Sequence, residues 1–155
     1  MQSESLQEVM LNAKLHAMDK KHSKLEPHHV LYSLVFTQNE VQQLLLDYGL
    51  TAKKLDIDER GRGGTLTESP QYIAMEKIAV VVSTIVGDKE VNCKHILLAI
   101  LSQKKSYARE KIWYLLGKSE ENVQKLFTSV KKSIPIVCAR TAQFPTSTLS
   151  TQQIT

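Results

Sequence analysis

The chain has 155 residues, enough for one domain with a substantial core, and its 42% apolar and 23% charged residues are ordinary for a globular protein. Twenty basic against 16 acidic residues leave a formal charge of +4. The basic residues are scattered in pairs such as Lys20-Lys21, Lys53-Lys54 and Lys104-Lys105 without interleaved aromatics, which reads as solvated helix faces and not as a nucleic-acid surface. No apolar run approaches the roughly 20 residues of a membrane helix, and Met1-Gln2-Ser3-Glu4 lacks the basic and apolar regions of a signal peptide. Cys93 and Cys138 form neither a CxxC motif nor a disulfide framework, so a reduced, cytoplasmic setting is expected.

Leu6, Val9, Met10, Ala13 and Ala17 recur at helical spacing and predict an amphipathic helix over about 4 to 20, capped by Ser3 or Ser5. Pro27 suits the first position of a short buried helix through Val30, Leu31, Leu34 and Val35. Val41, Leu44, Leu45 and Tyr48 predict a third helix with Gly49 as its C-terminal cap, and Leu50 and Leu55 a fourth. Residues 58 to 68, which include Gly61-Arg62-Gly63-Gly64, have no period and read as a flexible linker.

Ser69-Pro70 opens the next helix as an N-cap followed by proline. Met75, Ile78, Ala79, Val82 and Val86 keep helical spacing, although the run Ala79-Val80-Val81-Val82 has the local propensity of a strand. Asn92 is a cap for a helix beginning near His95. Ala108, Ile112, Leu115 and Leu116 mark another helix, ending at Gly117. Val123, Leu126, Phe127, Val130 and Ile134 mark the last, and Pro135 stops it. Residues 135 to 155 read as a tail or interdomain linker.

These elements are written twice. His95-Ile96-Leu97-Leu98-Ala99-Ile100-Leu101 matches His29-Val30-Leu31-Tyr32-Ser33-Leu34-Val35 in residue type, 66 positions earlier. Ser3 and Ser69, Val9 and Met75, and Ala13 and Ala79 keep that offset; Leu44 and Ile112, and Gly49 and Gly117, stand 68 apart. The expected architecture is therefore all-α: two tandem four-helix repeats related by a pseudo-twofold axis, at residues 1–57 and 69–134. The same logic decides for helix in the Val80 region.

The duplicated His-aliphatic-Leu run, with a small residue 12 positions before each His and a Gly about 20 after it, resembles the double Clp repeat. That is the N-terminal domain of ClpA- and ClpC-type AAA+ unfoldases, and the resemblance covers about residues 3 to 134. It implies a non-catalytic domain that docks adaptor proteins and unfolded or tagged substrates for an ATP-driven Clp ring and its protease core. The alternative is a free-standing double-repeat accessory protein that binds a Clp ring or protease core. ClpC-like domains carry a Glu immediately before each repeat's His, where it helps hold phosphorylated arginine. This chain has His28 and Lys94 at those positions, and a lysine repels a guanidinium.

The residues themselves offer no catalytic constellation. The glycine segment lacks the Gly-Lys-Ser/Thr ending of a phosphate loop. His29 and His95 each open an apolar helix and are expected to pack there, as buried imidazoles that cap or hydrogen-bond across the repeat interface. His16, His22, His28 and His29 are imidazole ligands in principle, but none pairs with a cysteine or carboxylate at a recognised zinc spacing, so neither metal nor cofactor is expected. The expected partner site is a groove along the seam between the repeats. Ser3, His28, Ser69 and Lys94 would rim it and bias it toward acidic or neutral peptides.

Overall fold

The computed structural model describes residues 1–135; most of the expected tail, and Cys138 within it, lie outside the described residues. The first half consists of α1 (Glu4–Asp19), β1 (Lys24–Leu25), α2 (Pro27–Phe36), α3 (Gln42–Asp47) and α4 (Ala52–Leu55). The second consists of β2 (Thr67–Glu68), α5 (Pro70–Val86), α6 (Cys93–Ser102), α7 (Tyr107–Leu115) and α8 (Glu120–Lys132). Among the described residues no helix is long and apolar enough to cross a membrane.

The helix starts follow the expected chemistry. Ser3 and Ser69 accept from the backbone N–H groups of Leu6 and Tyr72, and Pro70 follows Ser69 at the first helical position. Thr51 and Ser119 cap α4 and α8 in the same way, and Asn92 caps α6. The valine run lies inside α5, where Tyr72, Met75, Ala79 and Ser83 form the buried stripe while Val80 and Val81 stay exposed. Burying Tyr72 and Met75, at about 1.5–3 kcal/mol for each large side chain, exceeds the helix penalty of a few tenths of a kcal/mol per valine.

The core is continuous across the two halves. The nearly fully buried helices α2 and α6 touch each other, and α2 also packs on α5 and α7. Backbone pairing ties the halves further. Leu25 pairs with Glu68, and Ser69 N–H donates to the Leu25 carbonyl; Gln2 pairs with Val91, and Ser3 N–H donates to the Val91 carbonyl. Leu25 and Val91 are themselves 66 positions apart, as are Ser3 and Ser69. Each half thus lends the segment before its second helix to the start of the other half's first helix, a reciprocity that a twofold exchange requires at these positions.

The segment between the halves is held down. Gly61 and Gly63 donate their N–H groups to the carbonyls of Lys20 and Lys21, and the Arg60 guanidinium reaches the Asp19 carbonyl. A methyl group on Gly61 would stand 2.2 Å from the Lys21 oxygen, so only glycine lets the segment approach the end of α1 this closely.

Candidate functional site

The site begins with the way α1 and α5 stop. Lys21 (φ 60°) and Gly87 (φ 82°) are left-handed. The next residues, His22 and Asp88, send their N–H groups back to the carbonyls of Ala17 and Ser83. These are two copies of one helix-ending motif, 66 positions apart. Each aims the side chain of its following residue at the histidine of the next helix.

The histidines do the same work in both halves. His29 Nδ1 accepts from Glu26 N–H at 2.9 Å, and His95 Nδ1 accepts from Asn92 N–H at 2.9 Å. Because a backbone amide can only donate, each neutral ring carries its proton on Nε2. His95 Nε2–H donates to Asp88 Oδ2 at 2.7 Å. His29 Nε2–H donates to His22 Nδ1 at 2.8 Å, and His22 Nε2–H donates in turn to the Glu59 carbonyl at 2.7 Å. None of these bonds crosses from one half to the other, and the last reaches the segment between them. Both duplicated rings are buried, His29 at 2% and His95 at 0% exposure.

Around His29 this chain opens into a cleft of about 630 Å³ whose lining includes His22, His28, His29, Glu59, Arg60 and Tyr107. His28 and His29 rings lie 4.2 Å apart, and His28 meets the Tyr107 ring of the other half edge-on at 5.3 Å. Burial, then the neighbouring His22, His16 and Lys111, holds His28 down to about 4. Burial, then His28, His22 and His16, holds His29 down to about 3. Both rings are therefore neutral near pH 7.

The four residues proposed from sequence fall into two pairs. Ser69 stands beside the start of α2 and His28, and Ser3 beside the start of α6 and Lys94. No hydrogen bond among the described residues links any two of the four. Ser3 and Ser69 spend their hydroxyls on helix caps, and Ser69 is only 3% exposed. Lys94 Nζ donates to the Ser133 carbonyl at 2.7 Å, at the end of α8. His28 alone opens into the large cleft.

Several contributors were not legible residue by residue. Glu40 reaches from the first half to α6, accepting from Ser5 Oγ at 3.0 Å and from Cys93 N–H at 3.3 Å. Burial first, then Glu40, pushes the Cys93 thiol up to about 12, so this fully buried sulfur is no nucleophile. A second, smaller concavity of about 260 Å³ lies between α1 and α2, lined by Asn12, Leu15, His16, Tyr32, Ser33 and Phe36. The His16 and Tyr32 rings stack at 3.9 Å, and Tyr32 stacks on Phe36 at 5.7 Å. Leu15 and Phe36 leave 51% and 61% of their surface exposed, with Leu11 nearby on α1 at 56%. The sequence signal for this face was present: Leu11, Leu15 and Met18 recur on the side of α1 opposite its core stripe.

Solved structures with a similar architecture include N-terminal domains of Hsp104, ClpV and ClpD. The Hsp104 N-terminal domain from Candida albicans is 19% identical, with a TM-score of 0.66 over 87% of this chain and 94% of that one. The N-terminal domain of the chaperone ClpD from Arabidopsis thaliana is 13% identical, with a TM-score of 0.64 over 84% of this chain and 95% of that one. A ClpV N-domain in complex with a VipB peptide is 19% identical, with a TM-score of 0.60 over 84% of this chain and 87% of that one. At these identities the likeness establishes the fold. No curated protein matches the chain. The model of the Clp repeat (R) N-terminal domain matches residues 1–112, and the chain belongs to that family.

Proposed function

We propose that this domain is a non-catalytic docking module that captures adaptor or substrate proteins for a Clp-type ATP-driven unfoldase. The observation that carries the reading is the aromatic-walled concavity between α1 and α2, flanked by exposed Leu11, Leu15 and Phe36. The ClpV N-domain of the same fold, solved with a VipB peptide, supports a peptide segment as occupant. Burying Leu15 and Phe36 against a partner contributes about 1.5–3 kcal/mol per side chain, each worth about a factor of ten or more in affinity. The seam positions Ser3, His28, Ser69 and Lys94 are kept as a secondary rim. His28, beside Tyr107 of the other half, is its most accessible aromatic member and Lys94 its charged one.

Titration of fluorescein-labelled casein, an unfolded protein, against the purified domain tests this. The double variant L15D/F36S should weaken binding at least tenfold, since each substitution removes apolar burial worth more than a factor of ten. Lys94→Glu should shift only the preference for acidic over basic peptides. Equal affinity of wild type and L15D/F36S removes the α1–α2 face from consideration, and absence of any binding removes the docking role itself.

A further inference from the structure

We infer that His22, His28 and His29 form a binding site for one divalent transition-metal ion of the zinc, nickel or copper class, opening onto the large cleft. One ring nitrogen from each of the three lies within 4.8 Å of the others. Imidazole is a preferred ligand for these ions, and three imidazoles with a fourth position left to water is an established open geometry. His22 is already prepared for this role. Its Nε2–H is fixed on the Glu59 carbonyl at 2.7 Å, which turns the Nδ1 lone pair toward His29. A metal-bound histidine usually makes that kind of outer hydrogen bond. The His28 ring makes no hydrogen bond to another described residue, so neither of its nitrogens is committed elsewhere. All three rings sit at the edge of a solvent-connected cleft, which supplies the entry path.

Three features oppose the ion and can be weighed. The His22 Nδ1 and His29 Nε2 atoms stand 2.8 Å apart. Ligands at about 2.0–2.1 Å from a tetrahedral ion stand about 3.3 Å apart, so the rings must part by about half an ångström. His29 must also move its proton from Nε2 to Nδ1 and give up the Glu26 N–H bond, a loss of roughly tenfold to a hundredfold in affinity. Lys24, Arg60 and Arg62 line the cleft, but so do Glu26 and Glu59, and Arg60 is turned onto the Asp19 carbonyl. None of the three removes a nitrogen donor from the cluster.

The second half serves as an internal control. The positions equivalent to His22, His28 and His29 are Asp88, Lys94 and His95. That half builds the same helix end and the same capped histidine with one imidazole instead of three. The fold therefore requires neither His22 nor His28 as histidine, and their presence together in one cleft calls for a separate account.

The test uses the full chain with any affinity tag removed. Co²⁺ is titrated with detection of its visible absorption, and Zn²⁺ by competition with a chromophoric chelator, on wild type and on His22→Asp and His28→Lys. These substitutions install the residues of the second half, and His22→Asp preserves an acceptor for His29. Expected are one equivalent per monomer in wild type, a tetrahedral cobalt spectrum, a thermal midpoint raised by zinc, and at least tenfold weaker binding in each variant. Binding no tighter than millimolar, affinity unchanged in both variants, or zinc uptake only through dimerisation in sedimentation would each overturn the assignment. Circular dichroism melts of the variants separate lost ligation from lost folding.

Discussion

The starts of α2 and α6 are the same device with different surroundings. In both, a buried histidine satisfies the amide three residues before it through Nδ1 and points Nε2–H at the residue that follows a left-handed helix end. In the second half that residue is Asp88; in the first it is His22, itself passed on to the Glu59 carbonyl. The comparison separates what the fold needs from what it tolerates. The Nδ1 bond is common to both halves, while the partner of Nε2 differs between them and is where added chemistry can enter.

Removing the histidines should produce the largest effect. His95→Leu deprives Asn92 N–H and Asp88 of their partner inside a site with no exposure at His95, at a cost of about 2–3 kcal/mol. His29→Leu orphans Glu26 N–H, but His22 faces the cleft and regains water, so about 1–2 kcal/mol is expected. Urea unfolding of the two variants measures both numbers. A larger loss at His29 than at His95 would show that His22 is not the replaceable member of the pair.

How much of this was legible follows from the same residues. The 66-residue echo gave the helices, their caps and the duplicated histidines, because apolar spacing and cap chemistry are local. It also contained the equivalence of His22 with Asp88, yet a histidine opposite an aspartate does not look like a repeat until the left-handed turn before each is seen. The closeness of His22 to His28 and His29 depends on that turn reversing the chain, and no zinc spacing table anticipates it. The flexible reading of residues 58 to 68 likewise missed the carbonyls at the end of α1, which are invisible in side-chain patterns.

A second divergence is electrostatic. Arg109, 5% exposed, donates from Nη1 and Nη2 to both oxygens of Glu120 at 2.9 and 2.6 Å and from Nε to the Leu101 carbonyl. At the 68-residue offset the first half carries Val41 and Ala52 instead. Hydrogen bonds from Arg109 and then Gln124 hold the Glu120 carboxyl down to about 2. A carboxylate whose folded value is lowered stabilises above its unfolded value and loses that contribution as pH falls through the folded one. Acid unfolding should therefore show a component between about pH 4.5 and pH 2 that Arg109→Met abolishes. Arg109→Met should itself be mild, within about 1 kcal/mol, because an apolar chain of similar length refills the site. Glu120→Ala should be the more damaging of the two, since it leaves a buried guanidinium with only the Leu101 carbonyl. The opposite order would mean that packing of the arginine stem, and not its charge, holds α7 to α8.

The smallest expected effect tests the helix ends themselves. Lys21 adopts φ 60° where its counterpart Gly87 adopts 82°, and a side chain in the left-handed region costs about 1 kcal/mol that glycine avoids. Part of that gain is offset because glycine also loosens the unfolded chain. Lys21→Gly should then stabilise the domain by about 0.5 kcal/mol, and Gly87→Lys should destabilise it by about 1 kcal/mol. Both turns aim the residue after them, so the His22 to His29 and Asp88 to His95 bonds provide a second readout through the imidazole proton resonances. If Lys21→Gly leaves the His22 resonance in place and raises the midpoint, the lysine is a tolerated strain. If it releases the His22 proton signal instead, the stiffness of the lysine turn is what holds His22 in line with His29, and the first half has traded stability for the placement of one imidazole.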